Sequence, residues 1–215
     1  MKRKTALITG ATSGIGEACA RRFANGGYNL IITGRTADRL KTLKAEFEAL
    51  GVDVLALAFD VCDREATRQA VASIPESFKP IDVLINNAGL ARGLEPEYEG
   101  SFQDWDEIYA GGGVYCATKA AVKALTDGLR IDVAHTKVRV TNLKPGLVET
   151  NFSNIRFHGD NERADNVYKG IVPLRGEDIA DVAFYAASAP EHVQIAEVLV
   201  LATHQANGTV VHREK

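Results

Sequence analysis

Thr9-Gly10-Ala11-Thr12-Ser13-Gly14-Ile15-Gly16 follows directly on the apolar run Thr5-Ala6-Leu7-Ile8. A buried strand that delivers a tight glycine turn into a helix presents free backbone N–H groups and the positive end of the helix dipole, and together these attract a dinucleotide's pyrophosphate. Gly10 permits the turn, Gly14 lets the backbone approach phosphate, and Gly16 lets the helix pack on the strand. With Thr12, Ser13 and Ile15 between them they form a candidate cofactor-binding loop and point to a cofactor-dependent enzyme. An ordinary strand-to-helix turn shares the local pattern, so the rest of the chain decides the weight of this reading.

Outward from that loop, short β-rich runs alternate with helical patterns. Runs at 5–9, 29–33, 53–59, 81–85, 138–143 and 196–201 predict strands, several apolar on both faces as a parallel sheet covered on both sides requires. Between them, 15–26, 36–50, 63–73, 115–134 and 177–188 carry apolar residues at helical spacing, with Leu40, Leu43, Phe47 and Leu50 as one stripe. The expectation is an α/β protein, a doubly wound parallel sheet with helices on both faces, in a single domain spanning 1–215. The polar stretch 151–170 reads as a connection followed by a short helix, and long loops at the carboxyl edge of such sheets shape substrate sites.

Composition narrows the function classes. The 215 residues are 46% hydrophobic and 25% charged, enough apolar material for a sizeable core, and the net charge of −3 gives no electrostatic reason to expect nucleic acid or an anionic membrane as partner. A small-molecule substrate is expected. Cys19, Cys62 and Cys116 are too few and too far apart for a disulfide framework or a zinc site, which predicts a reducing, cytoplasmic setting; Cys116 reads as core packing. His135, His158, His192, His204 and His212 share no ligand spacing, so no metal is expected. The basic Met1-Lys2-Arg3-Lys4 precedes an apolar run that stops at Gly10, and no segment approaches the ~18 apolar residues of a membrane span.

The end of the second strand indicates which dinucleotide is used. An NAD-preferring chain places an acidic residue there to bind the ribose 2′-hydroxyl. Here Gly34-Arg35-Thr36 stands instead, with Arg39 one helical turn further. An arginine fork matches a phosphate and no carboxylate repels it, so NADP is the expected cofactor, with Arg35 and Thr36 binding it. Asp60-Val61 closes the third strand, where the carboxylate either accepts from the adenine amino group or caps the next helix.

Taken in order, the glycine loop, Asp60-Val61, Asn86-Asn87-Ala88-Gly89, Tyr115-Cys116-Ala117-Thr118-Lys119 and Pro145-Gly146-Leu147-Val148-Glu149-Thr150 resemble the motifs of the short-chain dehydrogenase/reductase family. Asn87-Ala88-Gly89-Leu90-Ala91, the stretch from Phe152 to Asp160 and the tail Val211-His212-Arg213 resemble more narrowly its NADP-dependent 3-hydroxy acid branch, which acts on serine and allo-threonine. The resemblance implies a Rossmann-type oxidoreductase that transfers hydride between NADP and a 3-hydroxyl, commonly as a homotetramer. It adds Asn87, Ala88, Gly89, Pro145, Gly146, Val148 and Thr150 to the cofactor-binding residues. General carbonyl reduction is the nearest alternative.

Tyr115 and Lys119 lie at i and i+4, on one face of one helix. A phenol with a reference pKa of ~10 is a poor acid or base near neutrality, and a neighbouring ammonium stabilises its phenolate. In the family this tyrosine is the acid/base on the substrate oxygen, and the lysine also holds the nicotinamide ribose. Arg156 is either a solvated loop residue or the fork that grips a substrate carboxylate.

One interval departs from the family. Only 28 residues separate Asn86 from Tyr115, whereas the family places a long helix, a further strand and its loop there, with the serine that hydrogen-bonds the substrate oxygen. Roughly 40 residues are absent between about 108 and 110. Either a segment lies outside these 215 residues or the deletion is real and the protein binds NADP without catalysis. Loss of a central strand would expose two unpaired edges, which favours the former.

Overall fold

The computed structural model describes residues 2–89, 112–152, 160–207 and 210–214, with backbone alone at 112–116 and 164–165. The chain divides into two compact units, Met1–Gly89 with Arg175–Ala187, and Leu90–Leu174 with Ser188–Lys215.

The first unit holds β1 Thr5–Ile8, α1 Gly14–Asn25, β2 Asn29–Gly34, α2 Ala37–Glu48, β3 Val54–Ala58, α3 Arg64–Ala72 and β4 Val83–Ile85. Its four strands are all parallel in the order β3-β2-β1-β4, with Ala6 opposite both Leu30 and Val83, and Ile31 opposite Leu55. This is the doubly wound α/β arrangement expected. Because the chain steps one way from β1 to β3 and then returns to the far side of β1, the carboxyl ends of β1 and β4 flank the switch point where such sheets bind ligands.

Packing follows the apolar pattern. Every residue of β1 and all but the last of β2 are buried. On one face α2 contributes Leu40, Leu43 and Phe47, each fully buried and stabilising by about 1.5–3 kcal/mol. Leu50, read as the fourth member of that stripe, is 46% exposed, because α2 stops at Glu48 and Gly51 turns the chain at φ +81°. Leu7, Ile31 and Ile74 form a second cluster with Leu55, Leu57 and Phe78. The last helix of the first unit, which starts at Gly176, sets Phe184 edge-on to Phe23, and Tyr28 completes the aromatic trio with ring centroids 5.1–6.0 Å apart. Leu84 in β4 is 57% exposed, unlike the strands covered on both sides, and β4 pairs with β1 alone among the described residues.

The second unit carries α4 Gly112–Asp132, β5 Asn142–Pro145, α5 Asn161–Asn166 and β6 Glu197–Val200; α6 Gly176–Ser188 is the helix that packs on the first unit. β5 and β6 form a parallel pair, Asn142 opposite Glu197. The strand expected at 138–143 begins only at Asn142. Upstream, the Gln194 side-chain amide replaces a ladder partner, accepting from Val140 N–H at 3.1 Å and donating to its carbonyl at 2.9 Å. A β-rich sequence there is satisfied by a side chain rather than by a strand. The short helix expected within 151–170 is α5.

Candidate cofactor and catalytic sites

The loop after β1 is locked onto the segment after β4. Thr9 N–H donates to the Ile85 carbonyl at 3.0 Å, while the Thr9 hydroxyl accepts from Asn87 N–H and Ala88 N–H, each at 3.0 Å. The Asn87 side-chain amide donates to the carbonyls of Thr9 at 3.0 Å and Gly10 at 3.2 Å. The Thr9 N–H and the Thr9 and Gly10 carbonyls are thus paired across the switch point. Asn87 was read from the sequence as cofactor-binding; its side chain braces the turn. Thr9 escaped the sequence reading as a functional residue, though a polar residue ending a buried strand is the signal that marks it.

Gly10 and Gly14 adopt φ +64° and +54°, conformations in which glycine is favoured. Gly16 is helical, and its role is steric. A Cβ there would lie 2.2 Å from the Gly10 carbonyl oxygen and 2.4 Å from Asn87 Nδ2. Helix α1 therefore packs as closely on the turn as the sequence reading required. Ser13, its N-cap, is exposed and makes no side-chain capping hydrogen bond. The loop of Thr12 to Gly16 thus offers α1's first N–H groups without a side-chain cap, in a cradle that a Cβ would fill. That arrangement fits a pyrophosphate.

Around it, Thr12 seats against the end of β2, where a Cβ on Gly34 would meet Thr12 Cγ2 at 2.6 Å. Arg35 is exposed, with Asp60 at 3.9 Å, and Thr36 is the uncapped N-cap of α2. Asp60 does not cap α3. Its carboxylate accepts from Cys62 N–H at 2.9 Å, and this bond, aided by Arg35, holds its pKa below the usual range. Asp63 is the cap, accepting from Glu65 and Ala66 N–H at 2.9 Å. The helix-cap alternative for Asp60 is thereby excluded, and Val61 beside it is exposed. Buried Cys19, whose thiol burial pushes up to about 12, is unsuited to thiolate chemistry.

In the second unit, α4 carries positions 115 and 119 one turn apart, with Lys119 exposed; the side chains of Tyr115 and Cys116 lie outside those described. After β5, Gly146 N–H donates to the Val200 carbonyl at 2.7 Å, and Gln205, 6% exposed, accepts from Leu147 N–H at 2.9 Å. A Cβ on Gly146 would meet Gln205 Oε1 at 2.2 Å. Val148 bridges to Leu174 and its carbonyl accepts from Tyr168 OH at 2.9 Å, while Thr150 Oγ1 accepts from Phe152 N–H at 3.2 Å. The turn from Pro145 to Thr150 is therefore braced by Gln205 and Tyr168, neither of which is legible in the sequence as a support. Arg156 lies outside the described residues. Among the described residues no helix is long and apolar enough to cross a membrane.

The family model described as short chain dehydrogenase matches the chain in two stretches, 4–111 and 107–160. A serine 3-dehydrogenase of Agrobacterium fabrum is 38% identical over 248 residues, covering 98% of each chain. An NADP-dependent 3-hydroxy acid dehydrogenase of Salmonella typhi is 40% identical over 247 residues, covering 96% of this chain and 98% of its own. The 248 aligned residues exceed the 215 present here by 33, so at least that many positions of the Agrobacterium protein face no residue of this chain. Among solved structures, the closed form of a serine dehydrogenase complexed with NADP+ superposes with TM-score 0.89 at 36% identity, covering 98% of this chain and 100% of that one.

Proposed function

The chain belongs to the short chain dehydrogenase family, and on that premise we propose that it oxidises the 3-hydroxyl of a small 3-hydroxy acid, of the serine, allo-threonine or 3-hydroxypropionate type, with NADP. When bound, NADP supplies the hydride acceptor at its nicotinamide. The observation that carries the reading is the braced glycine turn of Gly10 to Gly16 at the switch point, in a chain whose relatives are named as NADP-dependent hydroxy acid dehydrogenases.

The roles of the side chains belong to the same proposal. Gly10, Thr12, Ser13, Gly14, Ile15 and Gly16 hold the pyrophosphate, Arg35 and Thr36 the 2′-phosphate, and Asp60 and Val61 the adenine. Asn87, Ala88, Gly89, Pro145, Gly146, Val148 and Thr150 hold the remainder of the cofactor. Tyr115 takes the hydroxyl proton at its phenolic oxygen, and Lys119 lowers the phenol's pKa and binds the ribose. Arg156 grips the substrate carboxylate by a bidentate pair. The proposal includes a homotetramer in the cytoplasm; the exposed Val122, Leu125 and Leu129 on one face of α4 are apolar surface that an assembly would cover.

The test is NADP reduction across serine, allo-threonine, 3-hydroxypropionate and simple alcohols. Turnover with the hydroxy acids and not the simple alcohols is expected; the reverse pattern would assign a general carbonyl reductase. A second reading, an NADP-binding protein without turnover, is favoured by one observation: the family match breaks at 107–111, where the resemblance places the substrate-positioning serine and where roughly 40 residues of a single-domain enzyme are absent. NADP binding with no turnover on any substrate would establish it.

Cofactor choice is tested separately. Arg35→Asp should weaken NADP on the order of a hundred-fold while changing NAD little, since it removes a fork and sets a carboxylate against the 2′-phosphate. Equal losses for both cofactors in equilibrium titrations would show that Arg35 does not read that phosphate.

A further inference from the structure

Arg35 follows the end of β2 and Arg39 stands four residues on, in the first turn of α2, and the structure commits them differently. Arg39 Nη2 donates at 2.8 Å to both carboxylate oxygens of Glu17, and its Nη1 lies 4.0 Å from Glu46. Arg21 closes the set, 3.5 Å from Glu17 and 2.9 Å from Glu46. These four side chains tie the first turn of α1 to α2, and Glu17 is their most buried member. Arg35 has a looser tie. Its side chain is 68% exposed and its ion partner Asp60 stands at 3.9 Å, an arrangement that contributes little and is readily exchanged for another anion.

Glu17 directly follows Gly16, the last glycine of the cradle, so it introduces a carboxylate beside the site proposed for phosphate. Left alone it would oppose the helix's attraction for anions. Held by Arg39 and Arg21, its charge is offset, and in return Arg39's fork is turned toward α1.

We infer that Glu17 sets the strength of cofactor discrimination: by holding Arg39 it keeps that guanidinium from the 2′-phosphate and leaves Arg35, of these two arginines, as the cationic reader. The inference rests on the NADP reading above and deepens it. Glu17 is then a positioning residue that acts through Arg39, and it restrains the preference for NADP. Replacing the carboxylate frees a second fork one turn beyond the first, and two forks on one phosphate bind more tightly than one.

The experiment is a titration of NADP and NAD against the wild type, Glu17→Gln, Arg39→Ala and the double variant, read as the ratio of the two dissociation constants. Glu17→Gln should raise the preference for NADP roughly ten-fold, the scale of one added charge-assisted hydrogen bond. Arg39→Ala should leave the ratio within about two-fold of wild type, and the double variant should lose the gain, because no freed arginine remains. Glu17→Ala should act in the same direction as Glu17→Gln. Equal shifts for both cofactors in Glu17→Gln, accompanied by a lowered melting temperature, would mean that the cluster only fastens α1 to α2 and would overturn the inference. A fall in the ratio on Arg39→Ala alone would overturn it too, by showing that Arg39 already reads the phosphate. A wild type that binds NAD but not NADP would instead overturn the cofactor reading on which the inference stands.

Discussion

Replacing Tyr115 with Phe should lower turnover by about a hundred- to ten-thousand-fold, the range expected for loss of a positioned general acid/base, while leaving the NADP dissociation constant within about two-fold. The substitution removes one oxygen and keeps the ring, so packing around α4 changes little. What is lost is the only atom at that position able to take a proton from a hydroxyl. Lys119→Ala should behave differently and damage both turnover and cofactor binding. One helical turn separates the two positions on α4, a spacing at which an ammonium can reach a phenol, and the proposal assigns the same lysine to the ribose. Single-turnover hydride transfer and equilibrium titration, measured on the same preparations, separate the two effects. A Tyr115→Phe protein that keeps substantial turnover would remove the proposed chemistry from this helix.

Legibility in the sequence followed the range of the interactions. β1 and β2 were plain as apolar runs, buried but for the last residue of β2, and α2 as a local periodicity: Leu40, Leu43 and Phe47 recur at helical spacing and all three are buried. The glycine loop was legible for a related reason, since Gly10 and Gly14 answer to backbone angles and Gly16 to a single close approach. Where a distant group intervenes, the pattern misleads. Val138-Arg139-Val140 has the composition of a strand, yet Gln194, 54 residues from Val140, supplies the hydrogen bonds. Asp60 and Asp63 both precede α3, and only the geometry of the turn shows that Asp63 caps it.

The braces of the site were hidden in the same way. Asn87 reaches Thr9 across 78 residues, Gln205 reaches Leu147 across 58, and Glu17 meets Arg39 across 22. Each pairing depends on topology that brings strand ends together, and no local spacing encodes it. The residues that would touch a ligand were therefore easier to nominate than those that fix their positions.

Gly16→Ala tests how much the site depends on that fixing. Alanine normally improves a helix by about 1 kcal/mol over glycine, and Gly16 has no positive φ to forbid a side chain. Here the added Cβ would sit 2.2 Å from the Gly10 carbonyl oxygen, 2.9 Å from its carbon and 2.4 Å from Asn87 Nδ2. Two of those three atoms are backbone, so relief requires the turn itself to move. Moving it breaks the bonds from the Asn87 amide to the Thr9 and Gly10 carbonyls and shifts the N–H groups proposed to bind pyrophosphate. Overpacking of this kind costs about 1–3 kcal/mol, enough to cancel the helical gain and lower the melting temperature. NADP affinity should fall by at least about a hundred-fold, because the pyrophosphate contacts depend on the displaced backbone. Gly128→Ala in α4 is the control: open space surrounds its Cβ position, so it should stabilise by about 0.5–1 kcal/mol and leave NADP binding unchanged. Thermal unfolding and NADP titration of both variants decide the matter. A Gly16→Ala protein that binds NADP like the wild type would show that the turn tolerates displacement, and the phosphate cradle would then have to lie elsewhere in the chain.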